Sequence, residues 1–315
     1  MIKKHLTSLA NKSILVIGDV MLDVFSTGKV ERRSPEAPVD ILDLRTFDEC
    51  PGGALNVCKN LVSLGASAEI FGVIGDDFEG FRLEYLCDKS NIKRTAMLRE
   101  KGRVTTTKTR YFDGDTALLR VDRELRTPIG MDMEDIFIKE IRSSLKVADA
   151  CILQDYNKGM LTPRMISEIM DMANKNHVPV FVDPKIDNIE TYKKAVLIKP
   201  NRHEAEKQLG YEIKDLETAK DAAKILQERL DCQNLLLTLG NQGMILKNDN
   251  QLLHIPAMPI ETADITGAGD TVISVVAALY STGMPIESCV QFANQAAAQT
   301  CKHHGVVPVT ADMLF

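Results

Sequence analysis

The stretch DITGAGD, residues 264 to 270, sets two glycines and then a carboxylate at the head of an apolar run, TVISVVAALY. Glycines at 267 and 269 permit close approach to the backbone, and the run that follows reads as a helix buried on all sides. The N-terminus of such a helix presents N–H groups without intrahelical partners and about half a positive charge, which suits a phosphate. A carboxylate beside a bound phosphoryl group is unfavourable unless it takes part in the chemistry. Asp270 in that position fits proton abstraction from an attacking hydroxyl. Taken alone, the same residues equally fit a glycine turn followed by an acid that favours a helix N-terminus. No G-x-x-x-x-G-K-[ST] occurs in the chain, so a P-loop is not the source of phosphate binding.

A site of this kind needs a frame, and the rest of the chain reads as one. SILVIGD (13 to 19), a helical stretch ALNVCKNLVSLG and AEIFGVIGDD (68 to 77) form a βαβ pattern, hence a parallel strand pair. From 131 onward helices and short apolar strands alternate: a helix near 131 to 147, ACILQD, a helix over 162 to 176, VPVFVD, AVLIKP, helices to about 230 and NLLLTLG. The strands end at Gly18-Asp19, Asp155, Asp183, Asn201 and Gly240, and in a doubly wound sheet such residues converge on one rim. Two stretches differ, about 26 to 45 around a Pro-Glu-Ala-Pro turn and 103 to 124 around an Asp-Gly turn. Their alternation of apolar and polar residues predicts antiparallel strands with one wet face, a small β lid on the larger sheet. No linker, low-complexity segment or internal repeat interrupts the pattern.

Composition narrows the function classes. Apolar residues at 44% of 315 are ample for a core. Lys and Arg number 38 against 44 acids, a net charge of −6, which leaves no basic surplus for a nucleic-acid backbone. The apolar stretch from Val272 to Tyr280 is too short to span a bilayer, and the N-terminal residues lack the pattern of a signal peptide. Seven cysteines without C-x-x-C pairing fit buried thiols in a reducing compartment, so a cytoplasmic location is expected.

DITGAGD, together with PGGALNV at 51 to 57 and KPNRHE at 199 to 204, resembles the two signature regions and the N-x-x-E motif of the ribokinase-like (PfkB) sugar kinases. The match keeps the family's order and runs over essentially the whole chain. Within the family, IGDVMLD (17 to 23), RRSPEAPV (32 to 39), QDYNKG (154 to 159), VDPK (182 to 185) and GDTVIS (269 to 274) are most similar to kinases of D-glycero-β-D-manno-heptose 7-phosphate. The resemblance implies an α/β fold: one ribokinase-like three-layer α/β/α domain over 1 to 315, with a mostly parallel central sheet and the small β lid.

The resemblance also implies roles. Asp270 takes the place of the catalytic base, while the N–H groups of Gly267, Ala268 and Gly269 stabilise charge on the γ-phosphoryl of ATP. Asn201 and Glu204 would organise Mg²⁺ and its waters, although the same spacing describes an Asn N-cap with a capping-box Glu. Gly52, Gly53 and Asn56, next to a helix start, would meet the sugar, with a turn and helix cap as the other reading. Asp19 and Asp23 are placed to accept from sugar hydroxyls. Lys185 and Lys158 are candidates for the sugar's phosphate or those of ATP. Arg110 and Arg120, on the lid strands, either bind a phosphate bidentately or form an exposed face. Thr238 and Gly240 stand where the family holds ribose and phosphates, with Gly243 in the same turn. Asn294 and Ala298 would line the adenine wall, or simply pack a helix. The tail CKHHGVVP follows the pattern loosely and leaves a monovalent-cation site open. His303 and His304 point in different directions on a helix and make a poor metal pair.

The implied activity is ATP-dependent phosphorylation of the C1 hydroxyl of the heptose 7-phosphate, giving the 1,7-bisphosphate, in ADP-heptose and lipopolysaccharide core precursor synthesis. Other readings keep the fold but take fructose 1-phosphate, tagatose 6-phosphate, ribose or a nucleoside, or make the protein a non-catalytic sugar-binding regulator. A homodimer through the lid is expected. Related bifunctional proteins carry an adenylyltransferase domain after the kinase, and no H-x-G-H marks one here, so that activity is expected from a separate polypeptide.

Overall fold

The computed structural model describes residues 2–261 and 264–315; Met1, Thr262 and Ala263 lie outside the described residues. In chain order the elements are α1 (Ile2–Ser8), β1 (Ser13–Gly18), β2 (Val20–Arg33), β3 (Asp40–Gly53), α2 (Ala54–Ser63), β4 (Ser67–Gly75), α3 (Phe78–Lys89), β5 (Lys93–Glu100), β6 (Thr107–Asp113) and β7 (Thr116–Arg123). There follow α4 (Met131–Ser144), β8 (Ala150–Gln154), α5 (Pro163–Lys175), β9 (Val180–Asp183), β10 (Leu197–Ile198), α6 (Arg202–Leu209), α7 (Leu216–Arg229), β11 (Asn234–Thr238), β12 (Met244–Asn248), β13 (Leu252–Ile255), α8 (Ala268–Ser281) and α9 (Ile286–Thr300).

The main sheet runs β13-β12-β11-β10-β9-β8-β1-β4-β5. Seven neighbouring strands, β11 through β5, are parallel, and β12 and β13 add an antiparallel edge. Parallel strands in the middle of a sheet are buried on both faces, which is why they read as unbroken apolar runs. β1 shows the consequence: Ile14 and Val16 pack into one core with α2, α8 and α9, while Leu15 and Ile17 pack into another with α4, α5 and α7. These two cores flanking one sheet make the three-layer α/β/α architecture expected above. All seven cysteines are free thiols, and only Cys50 is not buried.

The second sheet, β3-β2-β6-β7, is built from the two alternating stretches. Its strands reach further inward than expected. β2 begins at Val20, with only Asp19 between it and the end of β1, and β3 runs to Gly53, directly before α2. Gly52 and Gly53 therefore end a strand and do not form a turn, and Asn56 lies inside the first turn of α2. Gly53 takes φ 59°, and a Cβ there would stand 2.5 Å from the carbonyl oxygen of Asp19, so only glycine carries the chain from β3 into α2. Near the other end of the main sheet, AVLIKP contributes only the two residues of β10.

Candidate active site

Asp270 lies in the first turn of α8, 5% exposed, beyond the carboxyl ends of β1, β8 and β9. Gly267 caps that helix at φ 80°, a left-handed conformation costly for any residue with a Cβ. A Cβ on Gly267 would also stand 2.9 Å from Asn56 Nδ2. That gap lets the Asn56 amide donate to Asp270 Oδ2 at 2.7 Å. The other carboxylate oxygen, Oδ1, accepts from the Tyr156 hydroxyl at 2.6 Å and from Gln154 Nε2 at 3.1 Å. The Ala268 N–H is engaged within the turn by the Ile265 carbonyl at 3.2 Å, so that member of the GAG triplet is already committed.

Behind Gly269 sits Lys199, 3% exposed, whose Nζ would be 3.2 Å from a Cβ at that glycine. Its ammonium pairs with Asp183 Oδ1 at 3.0 Å, and Asp183 Oδ2 accepts from the same Gln154 Nε2 that serves Asp270. The helix N-terminus supplies the partial positive charge suited to a phosphoryl group, while the Lys199 ammonium is offset by its pairing with Asp183. Burial is the main force pushing the Asp270 carboxyl up to about 6; Tyr156 and Asn56 pull it down by hydrogen bonding, Asp183 pushes it up and Lys199 pulls it down. A carboxylate poised near 6 is ionised at neutral pH yet basic enough to take a hydroxyl proton.

The N-x-x-E pair forms a capping box. Asn201 Oδ1 accepts from Glu204 N, and Glu204 Oε2 accepts from Asn201 N, both at 2.9 Å. The remaining oxygen, Oε1, pairs with Lys185, whose ammonium is held protonated by Glu204 and Asp183 against the opposing effect of burial. Lys185 therefore stands on the N-x-x-E side of the site. Among the described residues no group of three or more His, Cys, Asp or Glu stands together to hold a metal ion. This donor set does not form an all-protein cage. It fits a magnesium ion that arrives with nucleotide phosphates and meets Glu204 at most through water.

Asp19 has other partners than those expected: its oxygens accept from the N–H groups of Tyr156 (2.8 Å), Lys158 (3.0 Å) and Met160 (3.2 Å), which ties the 156–160 turn to β1. Burial and the neighbouring Asp155 raise its carboxyl to about 6 against those donors. Asp23 pairs with Arg110 Nη1 at 2.6 Å on the inner face of the second sheet, and a Cβ on Gly52 would be 2.0 Å from Asp23 Oδ2. Arg120, opposite Arg110 in register, is mostly exposed and reaches Asp122, while Lys158 pairs with Glu124 at 2.6 Å. A cavity of about 470 Å³, lined among others by Phe25, Cys50, Phe112, Asp264 and Gly305, separates this face from the turn that leads into α8. A second, of about 620 Å³, lies beyond the amino ends of the strands near Lys194 and Asp231, away from the site.

Thr238 bridges to Asn201, and Gly240 and Gly243 turn the chain at φ 60° and 87°. A Cβ on Gly243 would meet the Ile255 carbonyl at 2.1 Å, so that glycine is required by the turn itself. Asn294 donates to the Pro256 carbonyl at 2.9 Å, and Ala298 is buried one helical turn further on. Sequence reasoning passed over Gln154, Tyr156, Lys199 and Lys108. For Gln154 and Lys199 a signal existed, a polar residue closing an otherwise apolar strand. Tyr156 carried none beyond lying in QDYNKG. Lys108 stands with its ammonium 5.2 Å from the Tyr156 ring centre, and burial lowers its pKa.

Known proteins resemble this chain in sequence and in fold. The family described as pfkB family carbohydrate kinase matches residues 11–312. The bifunctional protein HldE of Wolinella succinogenes is 40% identical over 293 residues, covering 93% of this chain and 62% of that protein. The bifunctional protein HldE of Helicobacter pylori (strain G27) is 37% identical over 287 residues, covering 91% and 62%. The chain thus spans less than two thirds of the length of these relatives. Among solved structures, phosphofructokinase-2 from Escherichia coli in complex with potassium superposes with a TM-score of 0.79 at 17% identity over 96% of both chains. Ribokinase of Arabidopsis thaliana complexed with ribose and ATP gives 0.74 at 18%, over 96% of this chain and 97% of that one. At such identities the structures show the fold, which is ribokinase-like. With the sequence relatives and the match over 11–312, they establish that the chain belongs to the pfkB family of carbohydrate kinases, phosphotransferases with an alcohol group as acceptor.

Proposed function

We propose that the protein phosphorylates the C1 hydroxyl of D-glycero-D-manno-heptose 7-phosphate to the 1,7-bisphosphate, with ATP and Mg²⁺. The observation that carries the kinase chemistry is Asp270, a buried carboxylate in the first turn of α8 beside the Lys199 ammonium. Asp270 takes the hydroxyl proton, and the N-terminus of α8 with Lys199 draws charge from the transferred group. Glu204 is the residue that would hold Mg²⁺ through water, and the ion would supply charge neutralisation on the nucleotide phosphates. The heptose assignment is supported by the phrases quoted above and by relatives named as bifunctional protein HldE at 35–40% identity.

The inner face of the second sheet carries Asp23, Lys108 and Arg110, a set suited to sugar hydroxyls and a sugar phosphate. Closure of this sheet as a lid would exclude water. Its outer face exposes Phe47, Leu119 and Val121, apolar residues suited to a homodimer through the lid. Adenylylation of the product would follow. No described helix is long and apolar enough to cross a membrane. The assay is ADP release over a panel of sugars and sugar phosphates. Preferred turnover of heptose 7-phosphate is expected. Equal or better turnover of fructose 1-phosphate, tagatose 6-phosphate or ribose would overturn the substrate, and no turnover with any would favour a binder.

A further inference from the structure

Asp270 is an acceptor with about four lone-pair positions, two on each oxygen. Oδ1 already receives two donors, Tyr156 and Gln154, and Oδ2 receives one, Asn56. With the donors among the described residues in place, a single acceptor position therefore remains, on Oδ2. Resting on the reading of Asp270 as the base, we propose that Tyr156 and Gln154 are positioning residues: they occupy Oδ1 so that the acceptor hydroxyl is received only at Oδ2, beside the Asn56 amide.

The arrangement around these two side chains holds them in place. The backbone before and after Tyr156 is tied down by the three N–H donors to Asp19 and by Asn157 N to Asp155 Oδ1 at 2.7 Å, with Asn157 at φ 58°. Tyr156 is partly buried, and desolvation of its phenol together with the Asp270 charge raises its pKa well above 10, so it stays a donor at any working pH. Gln154 is 1% exposed, and its Nε2 lies between two carboxylates, 3.0 Å from Asp183 and 3.1 Å from Asp270. Turning the amide over would set its oxygen against both acids, so the orientation is fixed by charge. The same reasoning fixes Asn56, whose Nδ2 faces Asp270.

Both amides are left with a buried oxygen, Gln154 Oε1 and Asn56 Oδ1, that has no partner among the described residues. Such atoms are costly unless something donates to them. The charged groups that face Asp270 are Asp183 at the end of β9 and Lys199 after β10; Tyr156 and Gln154 come from the end of β8, and Asn56 from α2.

The test is Tyr156→Phe, which deletes the donor and keeps the ring, with Gln154→Met as the second variant. Carbon-13 NMR of aspartate-labelled protein reports the Asp270 carboxyl directly, its signal assigned by loss in Asp270→Asn. In each variant the Asp270 titration moves to higher pH by about one pH unit, because a donor to the charged form is gone. The acid limb of kcat, measured with whichever sugar phosphate is turned over, moves by the same amount, while KM for ATP stays within about twofold. An Asp270 titration and acid limb that both stay in place, even with lowered activity, overturn the proposal. If Asp270→Asn retains turnover, the base reading fails instead, and the NMR titration still decides the hydrogen-bond arrangement.

Discussion

Asn56 Nδ2 lies 2.7 Å from Asp270 Oδ2, although 214 positions separate the two residues. The contact joins the first turn of α2 to the first turn of α8, so both helices open toward the same rim of the sheet. It also explains why glycine is needed at 267: the Asn56 amide fills the space where a Cβ would stand.

Asp270→Asn keeps the shape of the side chain and removes the base. Phosphoryl transfer is expected to fall by about 100 to 10,000-fold. Binding of a fluorescent ATP analogue should stay near that of the unaltered protein. A variant keeping more than about a tenth of the activity would mean that another group takes the proton.

Gly267→Ala tests the joint between the two helices. The left-handed backbone at φ 80° costs an alanine about 1 to 2 kcal/mol, and the new methyl presses on Asn56 Nδ2. Urea denaturation should show a loss of that size, and kcat should fall by at least about tenfold as Asn56 leaves Asp270. Full stability with full kcat would show that neither the turn nor the contact matters.

The parts of this site that were legible in the sequence share one cause. Buried parallel strands are apolar along their whole length, so the first polar residue after each one marks the rim, and Asp19, Asp155, Asp183 and Asn201 could be placed there from the sequence alone. Two-sided strands on the second sheet were legible through their alternation. What was not legible depends on partners distant in sequence. Asp19 reads as a rim acid, and nothing local shows that three N–H groups of the 156–160 turn will take its oxygens. β5, KRTAMLRE, escaped notice because a half-exposed strand next to a helix carries too many charges to read as apolar. Glu204 is a different case: the capping-box geometry and the metal role use the same spacing, and only one oxygen's partner, Lys185, distinguishes this box from an ordinary one.

That oxygen gives the next prediction. Glutamine at 204 can still form a capping box but lacks the charge. Glu204→Gln is therefore expected to melt close to the unaltered protein, while the Mg²⁺ concentration for half-maximal velocity rises several-fold. Glu204→Ala loses the cap as well and should cost about 1 kcal/mol in addition. An unchanged metal requirement in Glu204→Gln would leave the residue with a capping role only.

Asp270 also links function to stability. Burial raises its carboxyl from 3.8 to about 6, so the folded protein holds this proton more tightly than the unfolded chain does. The stabilisation is complete below about pH 4 and is lost as the pH rises through 6, amounting to about 3 kcal/mol by pH 8. The site thus carries a buried charge at neutral pH at the expense of the fold, as expected of a base placed for chemistry. Asp270→Asn removes that charge, and its new N–H can meet Asn56 Oδ1 once the Asn56 amide turns over. The inactive variant should therefore gain stability over the unaltered protein as the pH rises, from little difference near pH 4 to about 1 to 3 kcal/mol at pH 8. Urea denaturation at several pH values reads this directly. A difference that does not change with pH would mean that Asp270 titrates alike in the folded and unfolded chain, and that its burial is relieved by groups other than those that touch it here.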